Sequence, residues 1–153
     1  LLVVKPILTK LGVFQSAAEK ATTDAQAKAL ADAKTQATAT GQSGAQYSAD
    51  QYTGWANDIF TTGINNWTKD PDQMMKIVND VINVDTMVDL QQLITAFGTR
   101  TTKLGVDPFS WCYTTGFGCP SVDLPTFLKL ALDETHINYI NGYLNDQKIN
   151  YQF

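Results

Sequence analysis

An all-α protein is predicted from three observations. Apolar residues recur at spacings of three and four from about residue 48 onward, the runs open on Ser, Asp or Asp-Pro at positions suited to helix caps, and no segment reads convincingly as a sheet. The size agrees with one globular domain: 153 residues, 44% hydrophobic and 17% charged, are enough for a real core and too few for a multidomain machine. The net charge of -4, with eleven scattered basic residues and the single arginine Arg100, offers no phosphate-tracking stripe, so nucleic acid is not an expected partner. One histidine, His136, and two cysteines, Cys112 and Cys119, are too few for the usual four-ligand zinc site, and neither a metal nor a cofactor is expected.

The first segment, residues 1–15, is apolar (Leu1, Leu2, Val3, Val4, Ile7, Leu8, Leu11, Val13, Phe14) and broken by Lys5, Pro6 and Lys10. It is shorter than the roughly 20 apolar residues that span a bilayer. Apolar residues from the first position, then two lysines, read as the end of a longer membrane anchor, with a short docked strand or helix as the alternative. A cleaved secretory signal fits less well, because the chain would begin inside the apolar run. On the anchor reading, Lys5 and Lys10 are membrane-proximal and place the rest of the chain on the cytoplasmic side.

Residues 16–46 form the second segment. Ser16-Ala17-Ala18-Glu19 has the form of a capping box, and the alanine-rich stretch Ala17 to Ala39 favours helix while burying little, as a solvated spacer would. Thr38 to Gln46, with Gly41, Ser43 and Gly44, is the linker.

The compact domain is expected over 47–153. Ser48 caps a helix from about Ala49 to Thr62 with Tyr52, Trp55, Ile59 and Phe60 on one side, and Gly63 ends it. Asp70-Pro71 opens the second helix, with Met74, Ile77, Val78, Val81 and Ile82 apolar. The third begins near Asp85, carries Met87, Leu90, Leu93, Ile94 and Phe97, and stops at Gly98. Periodicity is lost from Thr99 to Ser121, a loop too long and too aromatic to be an ordinary connection. Asp123 and Asp133 cap the last two helices, and Ile149 to Phe153 alternate as an extended tail would.

That order resembles an annexin-type repeat, a five-helix unit of about this size. The run Asp50 to Gly63 is similar to its first helix and glycine loop, Asp70 to Asn83 to its second helix, Asp89 to Gly98 to its third, and Asp123-Leu124 to the opening of its fourth. Thr99 to Ser121 is then an insertion. The family holds calcium and phospholipid through a Gly-x-Gly-Thr loop, and here that loop is Gly63-Ile64-Asn65-Asn66-Trp67-Thr68, without the second glycine. Asp70 and Asp72 therefore read first as cap and solvated acid. One such unit behind an anchor and spacer also resembles small membrane-anchored, virion-associated proteins of Bacteroidetes bacteriophages.

Catalytic constellations are thin. Glu19 and Glu134 are explained as a capping-box residue and a first-turn dipole partner, and His136 follows Asp133 in a helical first turn as a surface histidine, with no nucleophile elbow nearby. Cys112 and Cys119 bracket six residues that include two glycines, so a disulfide and two free thiols are both open. Phe109, Trp111, Tyr113 and Phe117 are candidates for an interface or for a plug over one end of the domain.

The expectation is a non-enzymatic structural and interaction protein, membrane-associated and part of a virion. It meets the lipid membrane through its N-terminal segment and contacts other structural proteins or copies of itself. A peripheral phospholipid-binding module, calcium-dependent or not, and a cell-wall-degrading enzyme are the alternatives.

Overall fold

The computed structural model describes residues 44–153 and, upstream, residues 24, 25, 27, 28, 31, 32 and 35. These seven upstream residues are helical and exposed. Lys5, Lys10, the apolar run and the Ser16–Glu19 capping box lie outside the described residues.

The protein is mostly helical. Helix α1 (Ala49–Asn65) starts from Ser48, whose hydroxyl accepts from the amide of Gln51 while the Gln51 side chain accepts from the amide of Ser48. That Ser-x-x-Gln capping box satisfies two amides that the helix itself cannot. Gly63 does not end the helix, contrary to the sequence expectation; it is buried within the last turns of α1. A methyl group at its Cα would stand 2.5 Å from Phe127 Cζ and 3.3 Å from Ala131 Cβ, so the glycine is there to let another helix approach. The chain reverses one turn later, at Asn66, whose buried side chain accepts from the Asp70 amide at 2.8 Å and donates to the Asp70 carbonyl at 3.3 Å.

Helix α2 (Pro71–Val81) has Asp70 as its N-cap, with Asp70 Oδ1 accepting from the amides of Asp72 and Gln73. Helix α3 (Met87–Phe97) begins two residues later than Asp85, because Thr86 supplies the cap through the Asp89 amide, and closes at Gly98. After the insert come α5 (Leu124–Ala131) and α6 (Glu134–Asp146), capped by Asp123 and Asp133. Two features modify the expected loop at 99–121. Strands β1 (Arg100–Thr101) and β2 (Ser121–Val122) form a two-stranded antiparallel sheet, and between them lies the short helix α4 (Trp111–Thr115). Two-residue strands and a five-residue helix are shorter than the windows in which periodicity is legible.

Helix α1 packs on α2 and α3, α2 reaches α6, and α5 touches α1, α3 and α6. Their apolar faces make one core that includes Ile59, Ile77, Leu93, Phe127, Leu128 and Ile140. The rings of Phe60, Phe97 and Phe127 meet in its middle, with centroids 5.3 to 6.1 Å apart. The tail packs as the alternation predicts, with Ile149 and Phe153 inside and Asn150 and Gln152 outside. Asn141 holds the last residue through the Phe153 amide at 2.8 Å.

One carboxylate is built into the packing. Asp89 is fully buried, and its Oδ1 accepts from the Tyr52 hydroxyl and from the Gln46 amide. The Tyr52 hydroxyl in turn accepts from the Tyr47 amide, and burial followed by the bond to Asp89 pushes the phenol's pKa upward. The chain entering the domain is therefore pinned to α1 and α3 by charge-assisted hydrogen bonds.

Candidate functional site

The insert is a braced unit. Arg100 pairs with Val122 and Thr101 with Ser121, and Thr102 donates to the Pro120 carbonyl at 3.1 Å, so the two arms leave the helical body side by side. Arg100 fixes this neck to the core. Its guanidinium lies over the Phe60 and Phe97 rings, 5.2 and 4.8 Å from their centroids, donates to the Phe97 carbonyl, and reaches Asn57 Oδ1 at 2.9 Å. Beyond the neck, Lys103 to Val106 make a turn closed by a 3.1 Å bond, with Gly105 at φ +71°. A Cβ at Gly105 would also stand 2.6 Å from Leu130 Cδ2, so both backbone and space require the glycine.

Asp107 Oδ1 accepts from the Phe109 amide, Ser110 caps α4 through the Tyr113 amide, and Gly116 ends that helix in the left-handed region. Cys112 and Cys119 are joined as a disulfide with their Cα atoms 4.8 Å apart, which resolves the two alternatives in favour of the bridge. The bridge ties α4 to the residue just before Pro120, next to the β1–β2 neck.

Three of the four aromatic candidates point away from the body. Phe109 is 95% exposed and Trp111 and Phe117 are each 74% exposed, so they do not plug the domain. Tyr113 is half-buried, packed edge-on against Trp67 at 5.8 Å. Trp67, itself 60% exposed, extends the aromatic surface onto the α1–α2 turn. Large apolar rings are thus held in water on a covalently braced loop.

A groove of about 460 Å³ runs beneath the insert, with Trp67 and Tyr113 on one wall, Leu104, Val106 and Leu130 among its apolar lining, and Lys69, Lys103 and Lys129 around it. No carboxylate is among the lining residues. Lys103 Nζ donates to the Tyr113 carbonyl at 2.9 Å and lies 5.6 Å from that ring's centroid. Lys69 Nζ donates to the Leu132 carbonyl at 3.3 Å, and Lys129 has no hydrogen-bond or ion-pair partner among the described residues. Lys69 also stands at φ +51°, a conformation that costs a side-chain-bearing residue about 1 kcal/mol and is held here by its neighbours. A second groove of about 360 Å³ adjoins the first and shares Trp67, Lys103 and Leu104 with it.

Sequence reasoning singled out the insert's aromatics but missed Trp67 and the three lysines. Lys69, Lys103 and Lys129 are separated by 34 and 26 residues and sit on a turn, the insert and α5, so only the fold reveals their convergence. Two glycines in different elements, Gly63 and Gly105, mark the close approaches that bring α1, α5 and the insert together.

The other sequence candidates have structural duties. His136 is not a surface histidine: its side chain is 13% exposed, with Nδ1 2.7 Å from Asp133 Oδ1, and these bonds hold the Asp133 carboxyl below the usual carboxylate range. Glu134 is exposed in the first turn of α6, and Glu19 lies outside the described residues. The Gly63 carbonyl accepts from the Asn66 amide and Asp70 from two helical amides, so those oxygens are already used within the chain. Among the described residues no three His, Cys, Asp or Glu side chains converge, and no helix is long and apolar enough to cross a membrane.

No protein-family model matches the chain, and neither the curated protein sequences nor the solved structures contain a match.

Proposed function

We propose that this chain is a non-enzymatic structural and interaction module, held at a membrane by its N-terminal segment, with the braced aromatic insert as its contact element. The five longer helices serve as an annexin-like body, and the setting is a minor virion component that links membrane or core to neighbouring subunits. The observation that carries this reading is the exposure of Phe109, Trp111 and Phe117 on a loop closed by a ribbon and a disulfide. Bracing lowers the conformational entropy lost on docking, which is what a contact surface gains from rigidity. The perturbed carboxyl and phenol groups, Asp80, Asp133, Tyr47, Tyr52, Tyr143 and Tyr151, all lie outside the lining of the groove. A disulfide persists in oxidising surroundings, which supports a position for the insert outside the cytoplasm and weighs against the orientation suggested by Lys5 and Lys10.

The test compares the whole chain with a Phe109→Ser/Trp111→Ser/Phe117→Ser variant by sedimentation velocity and by cosedimentation with vesicles. The wild-type chain should self-associate, and the variant should lose that association while keeping its helical circular dichroism and its vesicle binding through the N-terminal segment. A variant that associates as the wild type does, or a wild type that stays monomeric or unbound, overturns the reading.

A further inference from the structure

The acidic character of the chain is unevenly distributed. From residue 44 onward there are twelve acidic and six basic residues, and three of those six basic residues, Lys69, Lys103 and Lys129, line one groove that no carboxylate enters. Lys69 and Lys103 are oriented by backbone carbonyls, which fix their ammonium groups without neutralising them. Lys129 has no partner among the described residues. Asp133 lies near Lys69 and already accepts from His136. Three lysines lining one groove of an otherwise acidic domain give it a local positive charge, which attracts an anion.

We propose that this groove is a binding site for a phosphate group carried on a flat or apolar body, recognised directly by lysines. Ammonium groups are point donors that suit the three outer oxygens of a phosphate ester. The exposed part of the Trp67 ring and the Tyr113 ring offer faces to a planar group, while Leu104, Val106 and Leu130 accept apolar surface. The volume of about 460 Å³ is that of a small-molecule site. A soluble phosphate ester and the headgroup of an anionic phospholipid share this chemistry. The site does not depend on the insert's outer aromatics being a contact surface.

Phenyl phosphate is the probe, with phenol as its uncharged counterpart and inorganic phosphate as its bodiless one. Binding is followed by amide chemical-shift perturbation in the whole chain. Phenyl phosphate should shift the amides of Trp67, Lys103 and Lys129, more weakly at higher salt, and phenol at the same concentration should not. Inorganic phosphate should shift the lysine amides less strongly. The variant Lys69→Gln/Lys103→Gln/Lys129→Gln, with each lysine exposed and none in the core, should retain the wild-type melting curve and weaken binding by about tenfold or more. Cosedimentation with phosphatidylglycerol as against phosphatidylcholine vesicles identifies the source: selective pelleting with the former points to the headgroup, and equal pelleting with both alongside phenyl phosphate binding points to a soluble ester. Equal shifts from phenol, no shifts from phenyl phosphate, or unchanged affinity in the triple variant would each overturn the proposal. Loss of self-association on serine substitution of Phe109, Trp111 and Phe117, with phenyl phosphate binding intact, would separate the contact element from the phosphate site.

Discussion

Gly63 shows how little a single atom can be spared where two helices meet. A Cβ there would stand 2.5 and 2.7 Å from two carbons of a fully buried Phe127 ring. Gly63→Ala gains about 1 kcal/mol of helix propensity but overpacks the core by about 1 to 3 kcal/mol. A net loss of about 1 kcal/mol is expected in urea unfolding. Gly54→Ala, in the same helix with nothing within 4 Å of the new carbon, should instead stabilise by about 0.5 to 1 kcal/mol. Asp80 supplies a pH signature. Its pKa is pushed up to about 6 by burial, then by Asp58, against the opposing effect of Lys76, and its buried Oδ2 lacks a hydrogen-bond partner. Because the folded pKa is raised, the cost of the charged form is present above pH 6 and is relieved as pH falls from about 6 towards 3.8. Asp80→Asn should therefore stabilise by about 1 kcal/mol at pH 7.5, a figure reduced for solvent screening, and the advantage should shrink by pH 5 in thermal melts.

At the scale of elements, the insert has its own cohesion. The ring closed by Cys112 and Cys119 spans seven positions, for which cross-linking is worth about 2 kcal/mol. That stabilisation is local, since the bridge lies beyond the neck. Cys112→Ser/Cys119→Ser should accelerate amide hydrogen exchange in residues 109–119 while leaving exchange in α1, α3 and α5 unchanged; equal acceleration everywhere would mean that the bridge stabilises the whole fold. The longer helices were legible in the sequence because each combines a side-chain cap with an apolar face: Ser48, Asp70, Asp123 and Asp133 all cap as their residue types suggest. Gly63 misled because a glycine near a helix end carries the same local signal whether it stops the helix or admits a neighbour. The ribbon and α4 were not legible, since their stability comes from a long-range pairing and a covalent link.

At the scale of the molecule, the acidic helical body contrasts with a lysine-lined groove and an aromatic loop. The aromatic half of that site could be read from Phe109, Trp111, Tyr113 and Phe117, which are close in sequence. The lysine half could not, since three positions far apart in sequence signal nothing until α5 and the insert are brought beside the α1–α2 turn. Net charge of -4 at neutral pH keeps copies apart, and it vanishes near the pI of about 4.7. Light scattering should therefore rise steeply as pH approaches that value, and the serine substitutions at Phe109, Trp111 and Phe117 should suppress the rise. Scattering that is identical in the variant would assign the association to another surface.

The narrow neck has a consequence for how such a protein can change. Strands β1 and β2 enter and leave side by side, with Arg100 as the bolt into the aromatic core. The exposed tip that carries Phe109, Trp111 and Phe117 can be rewritten without asking the helices to move, whereas Gly105 and Tyr113 are held against Leu130 and Trp67. The body and its attachment can thus stay constant while that tip changes, as an exchangeable head on a fixed handle.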